Sequence, residues 1–250
     1  MFLQRISIEG GGVGMVAFGR IPVFGYTIER LLFSNGLNKV KIFQGYNFIN
    51  VCFYDINYNI DTFYFDDYLK ILFVREKIDV SNFLELTGYQ QLKFIAKYVY
   101  IALKKVFERD DLPINILDKA YTELLKDDFY MMWSSDWVKG QHINVKTRNE
   151  YDKETVKLEI EKKKQIIYSN ILFTIDPIKR VNHISEMGGK RRSLIETIGY
   201  IEPNIFRIKI AHKEYNLKLD TFQIDVIEHN ELESEFFDWE CIHDGVMFQS

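Results

Sequence analysis

Two cysteines in 250 residues, Cys52 and Cys241, leave no room for a disulfide scaffold or an all-cysteine tetrahedral zinc site. Proline is scarce, at 4, which suits long regular elements. No stretch approaches the ~18 uncharged apolar residues that span a bilayer. The best candidate, Phe94 to Leu103, carries Lys97 and runs into Lys104 and Lys105. The opening residues Met1 to Glu9 are interrupted at once by Gln4 and Arg5, unlike the apolar core of a secretory signal. Asn-x-Ser/Thr sequons are absent. Together these absences lead to the expectation of a cytoplasmic chain with reduced thiols and no membrane partner.

A 47% apolar and 27% charged composition is that of a globular chain, not a disordered one. At this length roughly 70–75% of the unfolded surface is buried on folding, so a core forms without metal or disulfide. The net charge of −4 argues against a general nucleic-acid binder. Aromatics are plentiful, with 20 Phe and 15 Tyr, and favour strands, cores and interfaces.

Residues 1–80 read mainly as strands. Val40 to Phe43, Phe48 to Tyr54 and Leu69 to Val74 are β-branched and aromatic runs bounded by Gly36, Gly45 and the turn-forming Asp55 to Asn59. Between Met15 and Ile28, Gly19, Pro22 and Gly25 break the pattern, so short strands are expected there.

Thr87 and Gln90 have capping-box spacing. Leu92, Ile95, Ala96, Val99, Leu103, Val106 and Phe107 then recur mostly every three or four residues, the stripe of an amphipathic helix. Asp110 to Pro113 ends it, and Ile116, Leu117, Ala120, Tyr121, Leu124 and Leu125 mark a second helix. A central helical hairpin over about 87–127 follows.

Beyond Trp137 the period becomes two: Val156, Leu158 and Ile160 alternate with Lys157, Glu159 and Glu161. Gln165 to Asp176, Phe206 to Ile210, Leu217 to Leu219 and Phe222 to Ile227 are further strands, with a polar turn at Lys213 and Glu214. The fold class is therefore α+β, antiparallel sheet regions flanking a central helical hairpin. A single domain over 1–250 is expected. Two lobes would divide as 1–140 and 141–250, with the seam between Trp137 and Tyr151.

Gly10-Gly11-Gly12-Val13-Gly14 invites a phosphate-loop reading, which needs a helix immediately after it. Met15 to Gly19 reads as strand, so a hairpin turn is favoured. Gly188 to Ser193 resembles half a P-loop, but Ile184 stands where the first glycine belongs. What remains is a basic loop, Lys190, Arg191 and Arg192, able to hold a phosphate. Glu161-x-Lys163 with Asp152 upstream outlines a metal-dependent nuclease core: two acids for a divalent cation and a lysine to activate water. Chance recurrence in charged strands explains that pattern more economically. Cys241 and His243, two apart, sit too far from each other on a strand for direct contact. No histidine cluster assigns a metal, and no cofactor is implied.

Charge asymmetry is the feature left over. Lys218 is the last basic residue, and nine acids follow it without a cation. Residues 1–218 carry 32 basic and 27 acidic groups. Phe236, Phe237 and Trp239 lie among the acids. Acids steer a basic partner and rings anchor it. The expectation is a non-catalytic binding module of the immunity type. It would neutralise a basic bacterial toxin or effector enzyme through Glu231, Glu233, Glu235, Phe236, Asp238, Trp239, Glu240 and Asp244. Rings turned into the chain's own core, or acids docked on its own Lys190 to Arg192 loop, are the competing explanations. A metal-dependent nuclease or other phosphate-handling enzyme (Asp152, Glu161, Lys163; Lys190, Arg191, Arg192) is the alternative, and a structural or phage-associated subunit the second.

Overall fold

The computed structural model describes residues 1–138, 140–151, 153–175, 195–210 and 213–228. Among them, four helices and twelve strands in three four-stranded sheets make the chain α+β. Contacts divide it into two units. One is built on Met1–Trp133 and Lys146–Lys157; the other includes Ser134–Val145, Leu158–Leu172 and the described residues after 194. No helix among the described residues is long and apolar enough to cross a membrane.

The first sheet has the order β1-β2-β4-β3, from β1 (Arg5–Gly10), β2 (Phe48–Asp55), β3 (Phe63–Asp66) and β4 (Ile71–Ile78). Its inner pairs are parallel, Ile8 opposite Val51 and Val51 opposite Val74, and only β3 runs antiparallel to β4. Parallel neighbours need a long crossover. The crossover between β1 and β2 contains α1 (Gly14–Ser34), a helix where short strands were expected. Ala17, Ile21, Phe24, Ile28, Leu31 and Leu32 recur on one helical face, and each is buried. A proline in a helix interior costs about 3 kcal/mol. Burying an aliphatic or aromatic side chain returns about 1.5–3 kcal/mol, so the stripe outweighs Pro22. Gly25 permits the contact with β1, since a Cβ there would lie 2.6 Å from the Cβ of Ile8.

Two expected boundaries also move. Val40 to Phe43 forms no strand but one bridge, Lys41 with Phe2, while Val40 and Ile42 enter the core. β4 runs on through Arg75, Glu76 and Lys77, because β2 continues alongside as far as Asp55.

α2 (Val80–Glu85) is capped by Asp79, whose carboxylate accepts from the Asn82 N–H at 3.0 Å. α3 (Gly88–Arg109) starts at the capping box, with the Gln90 side chain accepting from the Thr87 N–H at 3.0 Å. All seven residues of the expected stripe are buried in it. α4 (Ile114–Lys126) buries Leu117, Ala120 and Leu124 and leaves Leu125 exposed. These helices share one core with Ile6, Ile8, Ile49, Val51, Leu72 and Val74, a single face of the first sheet.

A second sheet has the order β5-β6-β7-β8: β5 (Met131–Val138), β6 (Gln141–Asn149), β7 (Glu154–Lys162) and β8 (Gln165–Ile175). Connections this short join antiparallel neighbours. The third sheet, β12-β11-β10-β9, is antiparallel throughout: β9 (Ile195–Glu202), β10 (Ile205–Ile210), β11 (Lys213–Lys218) and β12 (Ile224–Glu228). Lys213 and Glu214 belong to β11, paired with Ile210 and Lys209, instead of forming a turn.

Candidate functional site

The glycine run joins β1 directly to α1, so it is a strand–loop–helix element and not the expected hairpin turn. Such a junction aims backbone N–H groups at an anion. Val13 occupies the N-cap position with no side-chain hydrogen bond, and no acid sits in the first turn. The loop is held from the other side: Gly11 N–H donates to Phe53 O at 2.7 Å, and Asp55 N–H donates to Gly12 O at 3.0 Å. The glycines have a packing reason. A Cβ on Gly11 would collide with the Tyr54 ring, and one on Gly12 would lie 2.7 Å from the Tyr58 ring. Those rings themselves pack with centroids 5.8 Å apart. Aromatic cover therefore accounts for two of the glycines without a ligand.

On the sheet face opposite the helices, pairing sets Glu9, Cys52 and Arg75 in one row across β1, β2 and β4. Cys52 is buried, and its thiol contacts Asn50 Oδ1 at 3.4 Å. Burial pushes the thiol up to about 11, with Glu9 adding to the effect and Arg75 opposing it. A nucleophilic cysteine needs the reverse arrangement. At neutral pH this thiol is protonated, a packing group.

A dense polar cluster among the described residues belongs to no motif. Arg148 on β6 binds Glu150 at 2.8 Å and the Asp128 carboxylate, and its guanidinium lies 4.6 Å and 4.7 Å from the ring centres of Tyr89 and Tyr130. Asp128 also accepts the Tyr89 hydroxyl. Lys153 reaches Glu150 at 3.3 Å, and Lys157 lies over Tyr130. Asp128 and Phe129 have φ of 51° and 61°, left-handed values that non-glycine residues rarely adopt. With both acids occupied and the guanidinium between rings, the cluster fastens β6 to the ends of the helical hairpin. Only the tyrosine and acid content hinted at it; no spacing rule links positions 89, 128 and 148.

The sequence-derived candidates fare unevenly. Glu161 lies near the end of β7, but Lys163 is not on a strand. With Lys164 it forms a two-residue turn, φ 51° and 64°, because a tight hairpin requires left-handed residues there. The same-face spacing of a Glu-x-Lys strand is thereby lost. Asp152 lies outside the described residues, as do Lys190, Arg191 and Arg192, Cys241 and His243. So do Glu231, Glu233, Glu235, Phe236, Asp238, Trp239, Glu240 and Asp244. Of the nine terminal acids, two described ones are matched within their own sheet: Asp225 by Lys218 at 2.8 Å and Glu228 by Lys213 at 2.6 Å. Among the described residues, no three metal-ligating side chains gather. Comparisons with protein-family models, with curated proteins and with solved structures give no match.

Proposed function

We propose that this chain acts by binding, as an immunity-type neutraliser that covers a basic toxin or effector enzyme in the bacterial cytoplasm. The observation that carries the reading is the segregation of charge. Every cation lies at or before Lys218, and nine acids interspersed with Phe236, Phe237 and Trp239 follow. Clustered negative potential accelerates and orients encounter with a cationic partner, and desolvated rings supply the anchor. Asp225 and Glu228 are already paired inside their own sheet, and the proposed contact uses the acids between Glu231 and Asp244. Blocking a cleft in this way requires no turnover. Calorimetric binding to the product of the adjoining reading frame, across a salt series, tests it. Asp238→Lys with Glu240→Lys is expected to weaken binding at least about tenfold and flatten the salt dependence. Unchanged affinity and slope would overturn the proposed surface.

A second reading, a phosphate-handling protein, is favoured by the strand–glycine loop–helix junction at Gly10 to Gly14. Titration with inorganic pyrophosphate, followed by the backbone amide signals of residues 11–16, tests it. Unmoved signals at millimolar ligand remove it.

A further inference from the structure

We draw no further inference here: the strongest candidate, the cluster of Arg5 over Phe48 and Arg75 over Tyr64 on the face of the first sheet turned away from the helices, carries none because nothing in the structure shows what covers that face.

Discussion

β2 and β8 are written in nearly the same alphabet. One reads FINVCFYD, the other QIIYSNILFTI, and each has a run of at least seven residues without a charge. Ile49, Val51 and Phe53 are fully buried, whereas Ile166, Ile167 and Ile171 lie open. Neighbours make the difference. β2 is flanked by β1 and β4 and covered on one face by residues shared with the helices; β8 has a single partner strand among the described residues. An apolar strand is thus a demand for neighbours, and the described residues meet that demand fully in one place and half in the other.

Truncating each strand puts that contrast in units of stability. Phe53→Ala is expected to cost about 3–5 kcal/mol, a cavity the surrounding core cannot close. Ile171→Ala is expected to stay within about 0.5 kcal/mol. Denaturant midpoints measure both, and a costly Ile171→Ala would show that β8 is packed after all. Second in size is Arg148→Ala, expected to cost about 2–3 kcal/mol because Glu150, only 5% exposed at its side chain, keeps Lys153 alone as counter-charge. Equal stability of Arg148→Ala and wild type would demote the cluster to surface decoration.

A smaller effect than that of Arg148 is a pH dependence. The Cys52 thiol stands near 11 when folded, against 9.0 ordinarily. Between these values the unfolded chain gives up its proton and the folded one does not, so stability falls as pH rises. The loss attributable to Cys52 is expected to reach about 1 kcal/mol by about pH 10. Cys52→Ala should remove that share of the slope; parallel unfolding curves for the two proteins between about pH 8 and 10 would contradict it.

The helical hairpin is legible because its signals are local: a capping box at Thr87 and Gln90, apolar steps of three and four, and a stop at Asp110 to Pro113. α1 is not, although its stripe at Ala17, Ile21, Phe24, Ile28 and Leu31 is as regular. Gly19, Pro22 and Gly25 speak against a helix in isolation, and only burial against β1 reverses that preference. Parallel pairing of β1, β2 and β4 is hidden for the same reason, since it depends on the crossover helix. The Arg148 cluster joins four chain segments, a convergence that no periodicity encodes. The acidic segment draws its proposed role from sequence alone. For the nuclease alternative, the Lys163–Lys164 turn weakens the spacing on which it leaned.

The touch of Gly25 against Ile8 couples two distant parts of the first unit. A helix seated that closely has little freedom to slide along its strand, so the attitude of α1 is fixed three turns away from its own beginning. The bend from Gly10 to Gly14 then inherits its shape from a point eleven residues downstream. A methyl group at position 25 would act there as a wedge, tilting the axis and lifting Tyr54 and Tyr58 off their seats while leaving every residue of the bend unchanged.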